Sequence, residues 1–80
     1  MEIEKGSVVI AKAGRDKGMA FAVVEVIDPR TVLIADGKRR LIEKPKRKNV
    51  IHLQATRTVA DCVTTNRQLR NLLKDFSQEA

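Results

Sequence analysis

Nine cations and one glycine in this chain have the chemistry and spacing to hold a polyanion, and they fall into two groups. Arg15, Lys17 and Gly18 lie in the run Ala13-Gly14-Arg15-Asp16-Lys17-Gly18, where two glycines four residues apart enclose two cations and a carboxylate. Lys38, Arg39, Arg40, Lys44, Lys46, Arg47 and Lys48 crowd into a single eleven-residue stretch. Ammonium and guanidinium groups neutralise phosphates and release their condensed counterions, and guanidinium adds bidentate hydrogen bonds. Other chemistries lack their parts. His52 has no sequence-visible nucleophile or carboxylate partner for general-base work, and there is no triad or phosphate-binding P-loop pattern. The lone Cys62 offers neither an internal disulfide nor a zinc site, and reads as a small packing residue. The sequence thus predicts a non-enzymatic protein with no cofactor and no metal.

The distribution of charge is more informative than its total of +6. Residues 1–37 carry five cations and six anions, residues 38–48 seven and one, and residues 49–80 four and three. The whole excess therefore sits between Lys38 and Lys48, a local block that suggests a polyanionic partner. A membrane surface fits less well than nucleic acid, because the block contains Pro45 and has no amphipathic helical pattern. No apolar run approaches the roughly 18 residues of a membrane span, and no signal-peptide pattern opens the chain. Together with the single cysteine, this predicts a soluble, cytoplasmic protein.

Eighty residues make one domain. A first strand is expected over Glu2–Lys12, a second over Met19–Ile27 and a third over Thr31–Ala35, all rich in Val and Ile. Asp28-Pro29-Arg30 reads as a turn. Asp36-Gly37 reads as a type I′ hairpin turn, which would return the chain as a fourth strand over Arg40–Glu43. Lys44–Lys48 is then a loop, because Pro45 cannot donate to a ladder, and Asn49–Leu53 a short fifth strand. Five short strands with tight turns suggest a small barrel, whose closure removes exposed edges. Val59–Val63 is a linker, either a turn or a sixth strand. Leu69, Leu72, Leu73 and Phe76 recur at helical spacing, and Thr65-Asn66-Arg67-Gln68 has the spacing of a capping box, so a helix is expected over Asn66–Ser77. The expected organisation is a barrel over residues 1–55, followed by a linker and helix over 56–80 that pack on the barrel's open end.

The residues Gly6-Ser7-Val8-Val9-Ile10, Ala13–Gly18 and Val23-Val24-Glu25-Val26-Ile27-Asp28 resemble the KOW motif. The resemblance is closest to ribosomal proteins of the fourteen-e, six-e and twenty-seven-e group. It continues through Val32-Leu33-Ile34, Lys38-Arg39-Arg40 and His52-Leu53, and so covers residues 3–54. Asp36-Gly37 stands where relatives often carry Gly-Pro, and a compact chain of this sort, ending in a short amphipathic helix, resembles small bacterial RNA-binding relatives more than an integral ribosomal protein. The resemblance implies an SH3-like barrel that binds RNA, usually ribosomal RNA, through its loops and basic surface. By position it implies contact from Arg15, Lys17 and Gly18, and from Lys38, Arg39 and Arg40.

Phe21 and Phe76 are the only aromatic residues, and both read as core, leaving no platform on which bases could stack. Structured RNA, recognised by shape and backbone, is accordingly the expected partner, with ribosome association as its setting. The alternative is a protein-interaction module acting in transcription or translation regulation, with Leu69, Leu72, Leu73 and Phe76 contacting a partner. Bland readings stand beside these. Gly14 and Gly18 serve turns whether or not RNA is present, Arg15 and Lys17 could pair with Asp16 or Glu25, and His52 could be a packing residue.

Overall fold

In the structure, a computed structural model that describes residues 3–60 and 63–76, five antiparallel strands form one sheet with a helix laid against it. The strands are β1 (Ser7–Ala11), β2 (Ala20–Asp28), β3 (Thr31–Ala35), β4 (Lys46–Asn49) and β5 (Leu53–Val59), and the helix α1 spans Asn66–Leu73. The spatial order is β4-β3-β2-β1-β5. Consecutive strands β4 and β5 thus occupy opposite edges, yet only the 3₁₀ turn Val50–His52 joins them. A turn of three residues spans about 6 Å, so the sheet must curl until its edges meet. This connection makes the molecule a small SH3-like barrel.

The curl has visible causes. The β2–β3 register shifts between Val23 and Glu25 and again between Val26 and Asp28, and the β1–β5 register shifts between Ser7 and Val9. Extra residues on one strand bend it and increase its twist. In β5 the Thr56 hydroxyl donates to the Val8 carbonyl at 2.8 Å and accepts the Thr58 N–H at 3.2 Å, filling the gap in the ladder. Inside the curl lie Val9, Ala11, Phe21, Val23, Val32, Ile34 and Leu53, all buried.

The helix does not cross the open end. Leu69 is fully buried against Ala22 and Ala35 on the outer face, with Leu72, Val24 and Ile42 packed around them. Ala22 and Ala35 are direct cross-strand partners, and two methyl side chains side by side leave a seat shallow enough for a leucine to fill. Thr65 caps the helix as its spacing predicts: its hydroxyl accepts the Gln68 N–H at 3.1 Å while the Gln68 side chain accepts the Thr65 N–H. The α-helix ends at Leu73 and tightens into a 3₁₀ turn over Lys74–Phe76, short of the expected Ser77, which lies outside the described residues.

Two expected elements are displaced. Asp36-Gly37 is not a two-residue hairpin turn but the start of a longer loop reaching Pro45, and the strand expected over Arg40–Glu43 is a turn within it. The cause is the Asp36 carboxylate, whose Oδ1 accepts the N–H groups of both Lys38 and Arg40 at 2.9 Å and folds the chain back on itself. The fourth strand instead covers Lys46–Asn49, taking in Lys46–Lys48 expected as loop and Asn49 expected in the fifth strand, and the fifth begins at Leu53 after the 3₁₀ turn. Asn49 starts that turn by accepting the Ile51 N–H at 3.0 Å.

Candidate nucleic-acid interface

The first loop is built by its ladder and its glycines. The Gly18 N–H donates to the Ala11 carbonyl at 2.8 Å, and the Lys17 N–H to the Gly14 carbonyl at 3.2 Å. Gly14 and Gly18 sit at φ of 83° and 89°, the left-handed region that side chains avoid. Nothing approaches the position of a Cβ on Gly18, so its requirement is conformational. Arg15 and Lys17 are exposed on this frame.

Asp16 connects the loop to the basic block. Its carboxylate is 9% exposed and meets Lys46 Nζ at 3.3 Å and Arg39 Nη1 at 4.0 Å. Arg39 is 61% exposed, and its Nη1 also lies 3.2 Å from the Met19 sulfur. Asp16 thus takes its partners from the block, not from its neighbours Arg15 and Lys17. The Lys48 ammonium adds a third link, lying 3.7 Å from where a Cβ on Gly14 would stand.

Register explains which cations gather here. Lys46 and Lys48 oppose Ile34 and Val32, whose side chains enter the core, so both lysines lean over the inner side of the sheet toward the first loop. Arg47 opposes Leu33 and faces the other way. Its charge contributes to holding the Asp28 carboxyl below its ordinary 3.8, an effect led by the Arg30 N–H donated to Asp28 at 2.8 Å. Arg40 is half-buried, and its carbonyl accepts the N–H groups of Asp36 and Gly37. Lys44 is exposed in the Leu41–Lys44 turn. The ten sequence candidates therefore divide. Arg15, Lys17, Arg39, Lys46 and Lys48 gather around Asp16 and Gly14, with Lys38 adjoining through the chain. Gly18 shapes the loop, while Arg40, Lys44 and Arg47 stand apart.

The block's loop is pinned by the helix. Asn66 accepts the Ile42 N–H at 2.7 Å and donates to the Glu43 carboxylate at 3.0 Å, which is the main cause holding the Glu43 carboxyl below its ordinary 4.5. Arg70 Nη1 donates to the Gly37 carbonyl at 2.9 Å. A Cβ on Gly37 would collide with the Asn66 carbonyl, so only glycine lets the helix this close.

Other sequence candidates take different places. His52 is exposed, contrary to a packing role, and contributes through its carbonyl, which accepts the Lys12 N–H at 2.8 Å. Cys62 lies outside the described residues. Leu69 and Leu73 are buried in the chain's own core, and Leu72 and Phe76 are half-buried. A concavity of about 710 Å³ lies beside the Asp28–Arg30 turn, and its lining includes Val26, Pro29 and Val50 with Lys12, Asp28 and Gln54. Among the described residues no group of three or more metal-ligating side chains occurs, and no helix is long and apolar enough to cross a membrane. No protein-family model and no curated protein matches the chain.

Proposed function

We propose that this chain is a non-enzymatic RNA-binding protein that grips structured RNA by its phosphate backbone. The observation that carries the reading is the convergence of two sequence-distant basic segments on Asp16: Arg39 and Lys46 meet its carboxylate, Lys48 lies beside Gly14, and the exposed Arg15 and Lys17 flank it in the loop. Cations brought together from a loop and an edge strand by a buried carboxylate form a positioned array. Merely solubilising charges need no such anchoring. The KOW resemblance implies ribosomal RNA as the target.

The mechanism is electrostatic docking. The array raises the local concentration of polyanion and speeds encounter, and phosphate contacts then fix orientation on the duplex without reading sequence. Lys38 and the five cations above, less the charge of Asp16, leave five net positive charges on the face. With about 0.9 counterions released per neutralised phosphate in a duplex and about 0.7 in a single strand, log K against log salt should slope by roughly −4.5 or −3.5. Fluorescence anisotropy with a labelled RNA hairpin across a KCl series measures it. A slope near zero, or no binding at low salt, refutes the proposal.

A further inference from the structure

The cationic surface continues past the barrel onto the helix. Arg67, Arg70 and Lys74 are spaced by three and four residues and are all exposed, so they form one stripe, turned away from the leucines that meet the barrel. Between this stripe and the basic loop lies a cleft of about 130 Å³, lined by Lys38, Arg70 and Lys74 with Asp36, Ala20 and Leu73. Three cations face a single carboxylate. That carboxylate is already committed, since Asp36 Oδ1 accepts the N–H groups of Lys38 and Arg40. Arg70 is held in place by its bond to the Gly37 carbonyl, which uses one of five guanidinium donors and leaves four.

Charge, size and floor point to the same ligand. A net positive cleft repels cations and gives neutral molecules no gain. Its volume is well below the roughly 300–1,000 Å³ of small-molecule sites, so one anionic group fits better than a cofactor. Ala20 and the buried Leu73 make an apolar base, which strengthens attraction by lowering the local dielectric. The cleft also adjoins the Asp16 face: Lys38 and Ala20 are the chain neighbours of Arg39 and Met19, which touch each other.

We infer that this cleft is a second phosphate position, taking a backbone phosphate of the same RNA that docks on the Asp16 face. The inference rests on the RNA-binding reading above. A phosphate position on a second element would add a further constraint on the protein's orientation on RNA.

The test uses the full chain, a labelled RNA hairpin and a KCl series. K74Q should weaken hairpin binding and reduce the salt slope by about 0.9, and K74E should weaken it further, with far-UV circular dichroism unchanged for both. Amide resonances of Lys38, Arg70 and Lys74 should shift on adding the hairpin, and inorganic phosphate at the same concentration should leave them unmoved. If the wild type binds the hairpin and folded K74Q and K74E keep its affinity and slope, this inference fails and the Asp16 face stands. Saturation of the cleft by inorganic phosphate, with no change in hairpin slope for either variant, would mark a free-anion site and also overturn it. A wild type that does not bind the hairpin removes both proposals together.

Discussion

Replacing Asp16 with asparagine should tighten RNA binding. The substitution keeps shape and removes the one negative charge at the centre of the cationic face, raising its net charge from five to six. Two effects then compete. Freed from the carboxylate, Lys46 and Arg39 lose a positioning partner, but both have other constraints. Lys46 stays in register opposite Ile34, and Arg39, at 4.0 Å and 61% exposed, is only loosely held to begin with. The electrostatic effect therefore dominates. At about 0.9 counterions per phosphate the slope should steepen from roughly −4.5 to roughly −5.4. Coulomb interaction between the removed charge and a phosphate about 8 Å away, at an effective dielectric between about 20 and 80, is worth roughly 0.5–2 kcal/mol, or about two- to thirty-fold in Kd at low salt. The folded state should lose about 1–2 kcal/mol, because an isolated partly exposed pair contributes little while a buried amide is left to find new partners. Anisotropy titration of wild type and D16N across the same salt series decides the matter. Weaker binding by a D16N protein with native circular dichroism, or an unchanged slope, would show that Asp16 acts by positioning the cations and would refute the charge argument.

Two further outcomes follow from the geometry. G37A should destabilise the protein more than G18A. Both glycines have positive φ, which costs an added side chain about 1–2 kcal/mol, but a Cβ at Gly37 also strikes the Asn66 carbonyl whereas one at Gly18 meets nothing; urea midpoints that rank the other way would refute this. The helix–loop staple should weaken in acid. The Glu43 carboxyl is held below its ordinary 4.5 chiefly by the Asn66 amide, so the ionised form favours the fold. Its contribution is complete above the ordinary value and is lost as pH falls through the lowered one. NMR titration should place the Glu43 midpoint below ordinary, and N66A should return it there.

The strands legible in sequence were those whose own residues carry the pattern. Val32, Leu33 and Ile34 place β3 at Thr31–Ala35 to the residue. In contrast, β4 is Lys46-Arg47-Lys48-Asn49, with no apolar residue and a proline just before it. It is a strand because β3 offers it a backbone edge, and an edge strand rich in lysine is how a sheet deters pairing with other chains. Leu41-Ile42 look like a strand, but their neighbourhood is governed by Asp36 and by Asn66, which lies 24 residues beyond Ile42. The helix seat was equally hidden: Ala22 and Ala35 are inconspicuous singly and become a seat only when the register sets them opposite each other. The site followed the same rule. Every candidate cation was visible, but their division was set by the alternation of β4 and by an ion pair spanning 30 residues, from Asp16 to Lys46, neither of which leaves a local signature.

Shape recognition of RNA makes a demand that charge alone does not meet. On the proposed reading, with Phe21 buried and Phe76 half-buried, binding energy comes from phosphates, and phosphates reward cations held at fixed separations. The segment Asp36–Pro45 carries four cations and one glutamate between its ends, and a loop of that composition would repel itself and extend if left alone. Its restraints include the Asp36 carboxylate, the Arg40 carbonyl that accepts the Asp36 and Gly37 N–H groups, and three bonds from the helix: Asn66 to the Ile42 N–H, Asn66 to Glu43, and Arg70 to the Gly37 carbonyl. Part of the order in the basic loop therefore comes from α1. Leu69 anchors that helix by burying its side chain between Ala22 and Ala35, worth about 1.5–3 kcal/mol of hydrophobic stabilisation. Ordering the loop before RNA arrives removes a cost that would otherwise be met on binding. Long-range steering depends on the number of charges, and residence on the RNA depends on how firmly they are held. In this chain the barrel and its basic segments supply the charges, and a short helix on the outer face helps to hold the 36–45 loop in place.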